Sequence, residues 1–298
     1  MDKTSVTTTH LEPPTELRNA KTAGASRFAI SITALLLASG CVHLAMFVIL
    51  GMDWHGPLSI RKPTLFGISG GLTTWSIAWL MTQLRPQKFD SFLVNSLAVG
   101  LFIEVALITV QYWRGVASHF NHSTTLDAAI EFAMLSLILF VTAGILYLTY
   151  RTFWLRNLEP AMAIAIRGGM GLLALSCLLG IMTTVLGGVS IALGRSSELW
   201  GTAGVLKFPH GVALHAIQLL PIVAWLARSL RWNDSVPIVQ STLASQVLFL
   251  LYAAWQTGQG RDRFDWDAIG ASLLGIAVVF GIFPTLALAW GIKEWVWR

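Results

Sequence analysis

The chain has 298 residues, of which 55% are hydrophobic and only 12% charged, and it carries a formal net charge of +5. An ordinary soluble domain has roughly 25% charged residues, which excludes a water-soluble enzyme. The basic excess suits helix ends at a membrane surface, not a nucleic-acid partner.

Residues 1–26 are polar and rich in threonine, contain Pro13-Pro14 and hold His10; they read as a disordered cytoplasmic tail. No short apolar core followed by a small-residue cleavage site is present, so the first apolar run reads as a retained helix. A helix needs roughly 20 apolar residues to cross ~30 Å of hydrocarbon. Eight runs have about that length: 28–52, 64–84, 91–113, 126–150, 164–187, 210–230, 238–256 and 268–291. The expected fold is therefore all-α, an integral membrane bundle of about eight transmembrane helices forming one domain over residues 27–298. Cys41 and Cys177 lie inside apolar runs, which points to free buried thiols, not to a disulfide or a CxxC metal site.

On the first helix Ser39 and His43 are four apart and share a face. His43 lies roughly 13 Å deep at 1.5 Å per residue. The second helix opens with Arg61-Lys62-Pro63, a proline suited to a first helical turn. On the third, Gly100, Glu104 and Gln111 line one stripe, and Glu104 falls near mid-membrane. An ionised carboxylate is expensive there, so Glu104 is protonated, paired or in a wet cavity.

The link to the fourth helix is the densest polar string in the chain: Gln111-Tyr112-Trp113-Arg114-Gly115-Val116-Ala117-Ser118-His119-Phe120-Asn121-His122. Tyr112-Trp113 fits an interfacial aromatic belt. Thr124 followed by Asp127 matches the S/T-x-x-D start of a helix, so Asp127 reads as a cap. The segment is expected to fold back over the bundle mouth. Trp113, Val116 and Phe120 would anchor it, while Arg114, His119 and Asn121 face a pocket containing His43, Lys62 and His215.

The sixth helix opens with Lys207-Phe208-Pro209 and carries His210, Gly211, His215 and Gln218. The basic-proline starts at 61–63 and 207–209, with the Asp-Ala starts at 127–128 and 267–268, suggest a 4+4 parallel repeat.

With the N-terminus inside, twelve Lys and Arg fall on the inner side, seven on the outer side, and Arg167 within the fifth run. That bias puts both termini in the cytoplasm. It also collects six of the seven histidines in or beside the outer half. The strings Arg114-Gly115-x-x-Ser118-His119-Phe120-Asn121 and Pro209-His210-Gly211-x-x-x-His215 resemble uncharacterised polytopic inner-membrane proteins of bacteria. The resemblance implies a bacterial inner (plasma) membrane and no activity.

Three chemistries fit an outward-facing, histidine-rich pocket. The first is haem b or a divalent metal in a redox role. His43 and His215 would be axial ligands, Arg114, Lys62 and Lys207 would meet propionates, and His119, His122 and His210 are further metal candidates. Ser39, Glu104, Gln111, Ser118, Asn121 and Gln218 would line the pocket, and an electron partner would dock outside. The second is a small-molecule or anion carrier or sensor, with Arg114, Lys62, Lys207 and two helix N-termini attracting the ligand. The third is an intramembrane metal-dependent hydrolase. Ser39-x-x-x-His43 with His210 and His215 is similar to the layout of ceramidase-like and adiponectin-receptor-like enzymes. The five-residue spacing departs from the H-x-x-x-H of that group and sets the two rings roughly 140° apart on a regular helix.

Overall fold

The computed structural model describes residues 15–56, 58–155, 158–230, 232 and 234–296, with side chains described between residues 27 and 293. His10, most of the expected tail, and Arg156, Arg231 and Arg298 of the charge count lie outside the described residues.

The elements in chain order are α1 (Thr15–Leu50), α2 (Arg61–Gln83), α3 (Asp90–Trp113), α4 (Thr125–Thr152) and α5 (Pro160–Ala192). A two-stranded antiparallel hairpin, β1 (Leu199–Trp200) and β2 (Gly204–Val205), follows with Leu199 opposite Val205. Then come α6 (Lys207–Leu214), α7 (Ala216–Ser229), α8 (Val236–Gly258) and α9 (Ala268–Val296). Helix α1 begins at Thr15, so residues 15–26, expected in the tail, are helical. The stretch carries Leu17, Ala20, Lys21 and Ala23, all good helix formers.

Seven helical segments among the described residues are long and apolar enough to cross a membrane: Arg27–Leu50, Asp90–Trp113, Thr125–Thr152, Pro160–Ala192, Lys207–Ser229, Val236–Gly258 and Ala268–Lys293. Helix α2 matches them in length but is less apolar, and its burial explains this. It packs along α1 and α3 and turns Gly67, Gly70, Gly71, Thr73, Thr74 and Ser76 into protein. A helix surrounded by protein can carry the small and polar residues that lipid would penalise. The chain is thus an all-α bundle. Its near face carries the α2–α3, α4–α5 and α7–α8 connections, and its far face the α1–α2, α3–α4, α5–α6 and α8–α9 connections.

Helices α1 and α2 pack backbone to backbone. A Cβ on Gly40 would lie 2.7 Å from the Ile68 nitrogen, and one on Gly67 would lie 2.8 Å from the Gly40 Cα. Both neighbours are backbone, so no side chain can swing aside. Gly67→Ala should force the helices apart and cost about 1–3 kcal/mol. That appears as a lower thermal midpoint of the purified protein, with Gly171→Ala, which meets nothing within 4 Å, as the neutral control.

Two polar clamps hold the α3–α4 pair. At the near face Arg151 of α4 is buried against Asp90 of α3, with Nη2–Oδ2 at 3.2 Å, and donates to the Arg85 carbonyl at 2.7 Å. At the far face the roles exchange: Arg114, capping α3, meets Asp127 of α4 at 2.7 Å. Thr124 caps α4, its Oγ1 accepting from the Asp127 N–H at 3.1 Å and donating to Oδ2 at 2.7 Å, as the S/T-x-x-D pattern implies. Arg167 donates to the carbonyls of Thr152 and Leu155, at 3.2 Å each, and so closes the end of α4.

Helices α3 and α8 end alike. Gly115 (φ 71°) and Gly260 (φ 68°) take the left-handed conformation that glycine adopts without steric cost. In each case the next residue donates back to a glutamine carbonyl, Val116 to Gln111 at 3.1 Å and Arg261 to Gln256 at 3.0 Å, a Schellman closure. Each glutamine side chain then reaches the start of the next helix, Gln111 at Asp127 and Gln256 at the Asp265 carbonyl. Arg261 pairs with Asp267 at 2.7 Å, as Arg114 does with Asp127.

Candidate functional site

The histidines expected in one pocket are distributed over separate local networks. Buried His43 uses both ring nitrogens: Nδ1 donates to the Ser39 carbonyl at 2.7 Å, and Nε2 accepts from the Trp113 indole at 3.1 Å. His215 sits in the break between α6 and α7, with Nε2 3.2 Å from Ser69 Oγ and Nδ1 3.3 Å from Gln218 Oε1. His210 is locked to α5, its Nδ1 donating to the Ser176 carbonyl at 2.7 Å while Ser176 Oγ donates to the His210 carbonyl at 2.8 Å. His122 is exposed and pairs with Glu131 at 3.0 Å. Among the described residues no three His, Cys, Asp or Glu side chains converge as metal ligands. Both ring nitrogens of His43 and of His215 have hydrogen-bond partners within the protein.

The segment after α3 does fold back, but it spends its polar groups on itself. Arg114 and Gln111 turn to Asp127, and Asn121 Nδ2 donates to the Ala117 carbonyl at 3.2 Å. Glu131, which the sequence reading passes over, organises the turn. Its carboxylate accepts the backbone N–H groups of Phe120 and Asn121, each at 2.9 Å. Those two donors converge because Phe120 adopts φ 58°, an unusual left-handed position for an aromatic residue. The Phe120 ring reaches across to α5, its Cζ lying 2.5 Å from where a Cβ on Gly187 would be. Ser118 and Asn121 are buried. Of the expected pocket-facing trio only His119 reaches α2, its ring 6.2 Å from that of Phe66 and Nδ1 2.9 Å from Ser118 Oγ. Burial, and then the charges of Lys62 and Lys207, push the His119 pKa down to about 4. Lys207 pairs with Glu198 at 2.6 Å. Glu104 is buried on α3, and its Oε2 has no partner among the described residues.

The two halves of the bundle, α1–α4 and α5–α9, meet through α4 against α5 and through a polar seam between α2 and α7. The seam is built on the helix break. Pro221 lacks an N–H, and the N–H groups of Gln218 and Leu219 both turn to the His215 carbonyl, each at 3.1 Å. This frees the His215 and Gln218 side chains to reach α2. Gln218 Nε2 donates to Ser76 Oγ at 2.8 Å and to the Leu72 carbonyl at 3.3 Å, while His215 holds Ser69.

Past this seam, toward the near face, the helices part and leave a cleft of about 640 Å³. Trp75 and Trp79 of α2 face Ile222 and Trp225 of α7, Ser76 and Gln218 form the floor, and Arg228 and Glu159 stand at the rim. No hydrogen bond occupies the three indole N–H groups. Among the described residues Arg228 has no ion pair, whereas the Glu159 carboxylate caps α5 by accepting from the N–H groups of Ala161 and Met162. Gln218 is the one residue expected in a pocket that lines this cleft. The others, Ser39, Glu104, Gln111, Ser118 and Asn121, sit elsewhere. A signal was present in the sequence: Trp75, Trp79 and Gln83 at i, i+4, i+8 and Gln218, Ile222 and Trp225 at i, i+4, i+7 each mark one helix face.

No protein-family model, curated protein or solved structure matches the chain. Fold and composition define it as a multi-pass helical membrane protein whose lipid-facing surface suits a bilayer.

Proposed function

We propose that the protein is a membrane carrier for a small amphipathic molecule, with its substrate site in the cleft between α2 and α7. The observation that carries this reading is the cleft itself, about 640 Å³ of space between two halves of the bundle, ending at a polar floor where α6–α7 is broken. Carriers place substrates at the contact of two repeats, on discontinuous helices near mid-membrane. The matched Gln–Gly–Arg/Asp corners of α3–α4 and α8–α9 support reading the halves as a 4+4 parallel repeat. The distribution of Lys and Arg supports placing the near face in the cytoplasm of a bacterial inner membrane, which makes the present form inward-open. The segment 114–124, Phe120 against Gly187 above all, closes the opposite side.

The haem, metal and hydrolase readings have no comparable support: His43 and His215 have both ring nitrogens bonded to protein, and among the described residues no three potential ligand side chains group as a metal site. A carrier differs from a sensor in that its floor is reached from both sides of the membrane. The test is therefore thiol labelling of a Gln218→Cys protein from each face.

A further inference from the structure

We propose that the far face holds a second, independent site, a small cavity that takes one small monovalent anion of the size of chloride. The cavity lies beneath the segment that follows α3 and measures about 10 Å³, room for one water-sized occupant. Lys62, Ser59, Ser118 and Tyr112 bring the polar groups to its wall, Leu58, Ile108 and Val116 supply apolar sides, and no carboxylate lines it.

Each polar group offers a donor. Ser59 is 1% exposed, and its Oγ has no hydrogen-bond partner among the described residues. A buried hydroxyl left alone costs about 1–3 kcal/mol, so an occupant that accepts from it is favoured. Lys62 is partly buried and, among the described residues, its ammonium makes neither a hydrogen bond nor an ion pair. The acid whose charge it feels, Glu198, is held by Lys207 at 2.6 Å. Ser118 lies 2.9 Å from His119 Nδ1. With the ring hydrogen on Nδ1, His119 donates to Ser118 Oγ and leaves the serine hydrogen for the cavity. An ammonium and the hydroxyls of Ser59 and Ser118 then line one small space, beside the Tyr112 phenol, with no carboxylate among the lining residues.

The surrounding charge has the same sign. Lys62, Arg61 and Lys207 stand against Glu198 and Asp53, an excess of positive charge, and the N-terminus of α2, which has no side-chain cap, adds its positive end. A cationic donor set without a carboxylate suits an anion, and the volume excludes phosphate or a carboxylate ligand. The site is separate from the cleft and does not depend on the carrier reading.

The experiment is equilibrium binding of radiolabelled chloride to the purified full-length protein. The expected result is saturable binding of one ion per chain, displaced by bromide and not by gluconate. Lys62→Met should weaken it by about ten-fold or more, since a charged donor is lost. Ser59→Ala, which removes a single hydroxyl, should weaken it less and keeps the test alive if the lysine variant fails to fold. Absence of saturable binding to the wild-type protein, or unchanged binding in both variants, would show that the cavity holds only water and overturn the proposal.

Discussion

Arg151→Ala should be among the most destabilising single substitutions in this protein, by about 3–5 kcal/mol, because it strands the buried Asp90 carboxylate. Arg151 and Asp90 are 7% and 9% exposed, and Asp90 also accepts from the Gln87 N–H at 2.8 Å while Arg151 holds the Arg85 carbonyl. Removing the guanidinium therefore opens the α2–α3 turn and the α3–α4 contact together. Asp90→Ala should be similarly harmful, for the reciprocal reason. The pair is dispensable as a pair: a double variant, Arg151→Met with Asp90→Leu, leaves no buried charge alone and should recover much of the loss. Thermal midpoints of the four proteins in one detergent form the cycle. If the double variant is as unstable as the sum of the two singles, the clamp does not work through this ion pair.

Acidification from pH 6.5 to pH 4 should open the segment over the far face. His119 has an ordinary value of 6.5, and its folded value is pushed down to about 4 by burial and by Lys62 and Lys207. Its contribution is fully present above 6.5 and is lost as pH falls toward 4, because the opened segment takes up a proton that the closed one refuses. The difference of roughly 2.5 pH units corresponds to about 3 kcal/mol at most. Hydrogen exchange of residues 114–124, corrected for intrinsic rates, should rise steeply through this window. The rise should flatten in His119→Gln. An equal rise in the variant would assign the effect to other groups, among them the His122–Glu131 pair, which shares the same turn.

The membrane spans were legible because hydrocarbon imposes a length and a composition that any single sequence displays. Helix α2 blurs that signal for the reason that makes it central: Ser69, Thr73, Thr74 and Ser76 can sit in it because α1, α3 and α7 surround it. The cap at Thr124–Asp127 was legible because it is local. The break at His215 was not, since the visible breakers were Pro209 and Pro221 on either side of it.

Partner choice was the larger gap. His43 bonds a carbonyl one turn back on its own helix and the Trp113 indole at the end of α3, and only the second of these depends on tertiary packing. Gln218 reaches Ser76 across 142 positions of sequence. No pattern within either helix announces that contact, nor the divergence of α2 and α7 beyond it. Collecting six histidines on one side suggested one shared site. In the fold His43, His210 and His215 each tie a different pair of segments together.

The most direct test of the carrier reading is access to the cleft floor from the two sides of a bilayer. Gln218→Cys in a background with Cys41 and Cys177 replaced, reconstituted in vesicles of known orientation, is exposed to a membrane-impermeant thiol reagent added on one side at a time. The account predicts modification from the near face, where the cleft stands open, and slower modification from the far face as the halves exchange. Trp79→Cys, about one turn nearer the open end than Ser76, should react from the near face alone. A Gln218→Cys protein that reacts from one face only, or from neither, would contradict a carrier and leave a one-sided binding protein or a lipid-filled groove.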